Sequence, residues 1–168
     1  MLLRLAEPND AMEVARVHVR AWRAGYRGLL AQDYLDGLRA QDRVRCYDFA
    51  NLDPRRPATL VAVEGDAIRG FATTMPAGDS SMPERGELCA LYVDPDWWAC
   101  GIGAALASAA RAQLREQGFR EALLWLLAGN VRGDRFYRRD GWVTDGFARK
   151  DVVWGVEVDE LRYCRRLD

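Results

Sequence analysis

The strongest constraint on the fold is a passage near the middle of the chain: Asp94-Pro95-Asp96-Trp97-Trp98-Ala99-Cys100-Gly101-Ile102-Gly103-Ala104-Ala105-Leu106. Before it, Glu87 to Val93 is an apolar run of strand type, closed by Asp94-Pro95. After it, Gly101 to Gln117 has helix composition and stops at Gly118, a natural C-terminal cap. Phe119 to Leu127 then reads as another strand. The order strand, glycine-rich turn, helix, strand commits this part of the chain to mixed α/β construction. Glycine is costly inside a helix, so the Gly-Ile-Gly pair asks for bare backbone at the helix start. A helix N-terminus presents unpaired N–H groups and the positive end of the peptide dipole, and so attracts phosphates. A tight strand–helix connection with nothing bound satisfies the same letters.

The flanking regions extend the alternation. Leu2 to Ala6 reads as a short first strand, and Pro8-Asn9-Asp10 is a helix-start signal. Met12, Ala15, Val19, Trp22 and Tyr26 fall at the three-and-four spacing of one helix face. A second helical region is expected over Gln32 to Ala50, broken near Arg39, followed by a loop at Asp53 to Pro57. Thr59 to Val63 and Ala67 to Thr73, joined through Glu64-Gly65-Asp66, predict a hairpin, and Pro76 to Arg85 a polar loop. Asn130 to Asp140 is helical and ends at Gly141; Trp142 to Phe147 and Val152 to Cys164 are expected as two further strands. No repeat, low-complexity tract or linker interrupts the 168 residues, which predicts one domain spanning 1–168.

Composition narrows the function classes. A formal net charge of −1 argues against a dedicated nucleic-acid or anionic-membrane binder. The four cysteines, Cys46, Cys89, Cys100 and Cys164, show no metal-like pairing, and with one histidine, His18, no metal is expected. The N-terminal apolar run is too short for a signal peptide, and no segment approaches the ~20 apolar residues of a membrane span. The expectation is a cytoplasmic protein.

Two familiar phosphate motifs fail on the letters. A dinucleotide fingerprint from Gly101 needs a small residue where Leu106 stands. A Walker-type loop needs Gly-Lys, and the single lysine is Lys150. The run Glu87 to Gly118, with Gly129-Asn130-Val131-Arg132-Gly133-Asp134-Arg135-Phe136-Tyr137-Arg138-Arg139-Asp140-Gly141-Trp142 downstream, resembles the GNAT superfamily of acyl-CoA-dependent N-acyltransferases. The family's loop, Arg or Gln, two residues, Gly, one residue, Gly or Ala, corresponds to Trp98 to Gly103, and the element order agrees over nearly the whole chain. The loop departs from the family at Trp98, where a basic or amide side chain is usual, and at Ala99 and Cys100, which are often glycine or arginine. It therefore brings no cation of its own to a pyrophosphate, and Arg135 or Arg138 is a candidate donor from elsewhere.

The resemblance implies a single α/β (α+β type) domain, a mixed, mostly antiparallel twisted sheet with helices on both faces. It implies acetyl-CoA as co-substrate, held by backbone groups of Leu91, Tyr92 and Val93, by the loop residues Trp98, Ala99, Cys100, Gly101, Ile102, Gly103 and Ala104, and by Asn130. Acyl transfer to an amine requires a neutral amine, a polarised carbonyl and a proton for the departing thiolate. Tyr137 matches the family's acid tyrosine, and a phenol of pKa about 10 keeps its proton at neutral pH. Asn130, seven residues earlier, advances about 700° around a helix and shares its face. Glu87 is the candidate base, and its distance along the strand from Leu91 to Val93 calls for a water relay. A half-buried packing aromatic and a solvated strand-end carboxylate are the plain alternatives for Tyr137 and Glu87. Trp22 and Tyr26, with His18 beside them, are expected either in the core or at the acceptor site.

The expected function is acetyl transfer by direct attack of a primary amine, small-molecule or peptide, with no nucleic acid or membrane partner. A non-catalytic acyl-CoA-binding or regulatory module that keeps the fold, and a ligand-free interaction domain, are the competing readings. The closing strands leave a homodimer open.

Overall fold

The computed structural model describes residues 1–78, 82 and 84–168. Its strands are β1 (Leu2–Leu5), β2 (Ala58–Glu64), β3 (Ala67–Pro76), β4 (Gly86–Val93), β5 (Glu121–Leu127), β6 (Val143–Val153) and β7 (Val156–Arg166). The helices are α1 (Ala11–Gly25), α2 (Gln32–Gly37), α3 (Ala40–Arg43), α4 (Ile102–Glu116) and α5 (Val131–Arg139). The strands form one sheet in the order β1-β2-β3-β4-β5-β7-β6. Every neighbouring pair is antiparallel except β4 and β5, which run parallel. This is the single α/β domain with a mixed, mostly antiparallel sheet that the sequence predicts.

Alternation along the strands distributes the core to both faces. Ala62, Ala72 and Leu88 join Ile102, Leu106, Ala110 and Leu114 of α4 in one cluster. Val61, Phe71 and Ile68 meet Val14 and Val17 of α1 on the other face. The small residues matter as much as the large ones. A Cβ on Gly70 would sit 3.0 Å from both Leu106 Cδ1 and the Tyr92 carbonyl oxygen, so α4 packs directly on bare backbone of β3.

Two irregularities shape the centre of the sheet. β4 is bulged against β3: Thr73 faces Ala90 while Thr74 faces Leu88, leaving Cys89 as the extra residue. β4 and β5 then pair only at Gly86 with Ala122 and Glu87 with Leu123. Beyond that point the ladder stops, and among the described residues the rest of β4 has no strand paired on its β5 side.

Several expected boundaries change. The helical region from Gln32 breaks at Leu38-Arg39, as expected, into α2 and α3, but it ends in a 3-10 turn at Val44–Cys46 and not at Ala50. Strand β6 runs through Lys150 to Val153, and the expected strand from Val152 to Cys164 is interrupted by a two-residue turn at Trp154-Gly155, with Val153 paired to Val156. Both turn residues have positive φ, 49° for Trp154 and 78° for Gly155. Pro76, expected to open the polar loop, instead closes β3 opposite Gly86. Residues 79–81 and 83 of that expected loop lie outside the described residues.

Candidate functional site

The divergence of β4 and β5 leaves one edge of β4 open, and some of the sequence-derived residues lie along it while Glu87 and Trp22 stand apart. The carbonyl of Val93 accepts a hydrogen bond from Trp98 Nε1 at 2.9 Å, whereas the N–H of Asp94 points the other way, to Arg69 O at 2.8 Å. Period-2 alternation therefore puts the N–H and C=O of Leu91 and the N–H of Val93 on the cleft edge, with no strand beside them. Their side chains, by contrast, are packing groups: Val93 is buried in the α4 cluster and Leu91 lies against it.

The loop after β4 is built to expose its backbone. Asp94 accepts from the N–H of Asp96 and opens a 3-10 turn at Pro95–Trp97. Trp98 then staples the loop to the end of β4 through its indole N–H. Ala99 and Gly101 both adopt left-handed backbone, at φ 63° and 83°. Gly101 is the N-cap of α4 and supplies no side-chain cap. The first N–H to find an i−4 partner is that of Ala105, bonded to Gly101 O. The N–H groups of Ile102, Gly103 and Ala104 precede it and point out of the helix end toward any anion placed there. The second glycine has a different purpose: a Cβ on Gly103 would come 3.3 Å from Phe136 Cε2, so it lets α5 lie close to α4. Cys100 is exposed, while Ile102 contributes its side chain to the core.

Helix α5 carries Tyr137 into the cleft. Asn130 is its N-cap, accepting from Gly133 N–H at 2.9 Å. At the other end, Asp140 receives Trp142 Nε1 at 3.0 Å and an ion pair from Arg111 of α4. Tyr137 packs edge-on against Phe136 and the buried Trp142, at 5.1 and 6.2 Å between ring centroids. Burial, then the nearby Tyr92 and Asp140, push its phenol above the ordinary range. A phenol in that state keeps its proton through neutral and mildly alkaline pH.

Glu87 sits at the closed end of the cleft, paired between Met75 of β3 and Leu123 of β5. The four to six residues from Glu87 to Leu91 and Val93 span about 13–20 Å of strand. The structure therefore separates Glu87 from the open end, where Tyr137 and Tyr92 lie.

On the opposite face the aromatic residues of α1 form a continuous group. His18 is buried, stacked on Tyr92 at 4.7 Å, and its Nδ1 lies 2.6 Å from the Tyr47 hydroxyl and 3.2 Å from Arg43 Nε. Burial, then the Arg43 charge, hold its pKa well below the usual value, so the ring is neutral. Trp22 is enclosed, with its indole N–H beside the Tyr92 hydroxyl. Tyr26 reaches Tyr92, hydroxyl to hydroxyl, at 3.3 Å, and burial raises its pKa well above 10.0. Tyr26 and Tyr92 thus connect the α1 aromatics to the cleft that holds Tyr137.

Two residues of this region escaped the sequence reading. Trp154 closes the aromatic group from the β6–β7 turn, 4.9 Å from His18 and 5.1 Å from Trp22, with Arg43 over its ring at 4.9 Å. The one signal was the Trp154-Gly155 dipeptide inside an apparent strand. Arg132 lies over the Trp98 ring, 3.2 Å from its centroid. Of the two arginines named from sequence, Arg138 pairs with Asp134 at 2.7 Å and lies over the Tyr163 ring.

Residues 17–142 match the profile of the Acetyltransferase (GNAT) family. A protein of Archaeoglobus fulgidus named an uncharacterized N-acetyltransferase is 32% identical over 140 residues, covering 82% of this chain and 89% of its own. A mycothiol acetyltransferase of Actinosynnema mirum is 32% identical over 144 residues, 83% of this chain but 43% of its own length. The chain thus spans less than half of that relative. The crystal structure of an N-acetyltransferase from Thermoplasma acidophilum in complex with coenzyme A superposes with a TM-score of 0.72 at 18% identity, covering 99% of each chain.

Proposed function

The chain belongs to the GNAT family of acetyltransferases, and from that premise we propose that it moves an acetyl group from acetyl-CoA to the primary amine of a small molecule or peptide by direct attack. The single observation that carries the reading is the open edge of β4 at Leu91 and Val93, where β4 parts from β5, with Tyr137 packed against the same cluster. An extended pantetheine arm has amides that can pair with such an edge as an added strand would. The residues present also suit the pyrophosphate, because Ile102, Gly103 and Ala104 offer backbone N–H groups at a helix start.

In this arrangement Leu91 and Val93 hold and polarise the acyl carbonyl through backbone N–H groups. The amine nitrogen bonds to the acyl carbon as the carbon–sulfur bond breaks. Tyr137 gives its phenolic proton to the departing sulfur. The amine proton passes to Glu87 by way of water, as the length of strand between them demands. Tyr26, with Tyr92 beside it, lines the acceptor side, and Trp22 backs both rings from the core. The free thiols of Cys46, Cys89, Cys100 and Cys164 accord with a cytoplasmic setting.

The experiment is turnover of acetyl-CoA against a broad panel of amines, reading released thiol, with Tyr137→Phe alongside. Wild type is expected to release CoA with at least one amine, and the variant to lose about 10²–10⁴-fold in kcat while still binding CoA. Thermal stabilisation by acetyl-CoA without turnover of any amine would favour the non-catalytic binding module. Equal kcat in the variant would remove Tyr137 from the acid role.

A further inference from the structure

The loop between β4 and α4 has no basic side chain from Trp98 to Ala104, yet two bridged phosphates present a concentrated negative charge. Arg132 lies beside that loop. It stands in the first turn of α5, and its guanidinium is laid on the Trp98 ring at 3.2 Å from the centroid. Face-on stacking consumes the flat face of the guanidinium and leaves the N–H groups around its rim pointing outward. No hydrogen bond or ion pair to a carboxylate claims that rim among the described residues; Asp134, the nearest acid in sequence, is engaged by Arg138 and the Tyr163 hydroxyl. The platform is itself fixed, because Trp98 Nε1 is bonded to Val93 O at 2.9 Å. The contact of Gly103 with Phe136 brings α5 against the first turn of α4.

We infer that Arg132, oriented by Trp98, is the cation for the cofactor pyrophosphate, so that the tryptophan at the loop's usual basic position serves as a mount for a charge borrowed from α5. The inference rests on the acyl-CoA reading of this site. It assigns a binding residue that lies outside the loop motif, and it gives the departure at Trp98 a physical purpose. The guanidinium edge suits the two phosphoryl groups in a bidentate contact that a lysine could not reproduce.

The test compares three ligands by calorimetry on wild type, Arg132→Gln and Arg132→Lys: CoA, 3′-dephospho-CoA, which keeps the pyrophosphate, and pantetheine, which lacks it. Arg132 is exposed, so both variants are expected to melt within a few degrees of wild type. Arg132→Gln should weaken CoA and dephospho-CoA by the same factor, about ten- to a hundredfold, and leave pantetheine unchanged. Arg132→Lys should recover only part of that loss. Equal binding of CoA by Arg132→Gln and wild type overturns the assignment, as does a loss shared by pantetheine or confined to CoA, which would place the contact on the 3′-phosphate. A wild type that binds neither CoA nor dephospho-CoA removes the acyl-CoA reading itself and this assignment with it. The two failures are therefore told apart by wild type alone.

Discussion

Replacing Trp154 separates two opposed contributions at the tip of the β6–β7 hairpin. Its backbone occupies the first central position of a two-residue turn at φ 49°, where Asn, Asp or Gly is favoured and a bulky side chain is out of place. The left-handed conformation costs an L-residue about 1–2 kcal/mol. Against that stand ring contacts with His18 and Trp22 and the Arg43 guanidinium at 4.9 Å. At about 0.5–1.5 kcal/mol for each aromatic pair and 0.5–1 for the cation–π contact, the ring outweighs the strain. Trp154→Ala removes the ring and keeps the strained backbone, and should cost about 1.5–4 kcal/mol. Trp154→Asn removes the same ring but accepts the turn conformation, and should be the more stable of the two by about 1 kcal/mol, or roughly 2–4 °C in Tm. Urea unfolding with matched m-values measures the difference. If the Ala variant equals or exceeds the Asn variant, the turn is not strained, and the ring alone accounts for the residue.

The other predictions concern positions where packing and function meet. Asn130→Ala should lose the cap of α5 at a cost of about 0.5–2 kcal/mol, whereas Asn130→Asp keeps the cap and its stability but adds a negative charge that should weaken CoA binding in calorimetry. His18 has a folded-state pKa below its unfolded value of about 6.5, so the unfolded chain takes up the proton first as pH falls. Stability is then full above about pH 6.5 and falls below it by up to about 1.4 kcal/mol per unit; it should be flat between pH 6.5 and 5.5 in His18→Gln, as followed by chemical denaturation. Gly70→Ala should destabilise by about 1–3 kcal/mol in the same assay, because the new methyl meets the Tyr92 carbonyl at 3.0 Å and cannot move it cheaply.

Local sequence patterns specify much of this molecule. The strand ending at Asp94-Pro95, the glycine start of α4, its stop at Gly118 and the helix from Asn130 to Asp140 are all statements about near neighbours, and each holds to within a residue or two. What stayed hidden depends on residues distant in sequence. Gly103 reads as a phosphate glycine, yet its lack of Cβ is required by Phe136, 33 positions away. The bulge at Cys89 leaves no mark in the apolar pattern, because Leu88 and Ala90 are both apolar and both acceptable on either face. Trp154 ran against every turn preference, so a strand was the natural reading of Val152 to Cys164. Arg132 carries no periodic signal; its place is set by Trp98, brought beside it through the crossover between β4 and β5.

The pairing of β4 with β5 at only Gly86–Ala122 and Glu87–Leu123 also divides the molecule as a cooperative system. On one side β1 to β4 are joined by long antiparallel ladders, and on the other β5 to β7 likewise. Each half can assemble from pairings of its own, whereas the parallel junction must wait for the whole α4 crossover. Amide hydrogens beside the junction should therefore exchange at a lower free energy than those within either ladder, with the α4 core shared by both halves resisting the opening. A ligand lodged along that junction would tie the halves into one unit and raise the exchange protection of both, including strands it never touches.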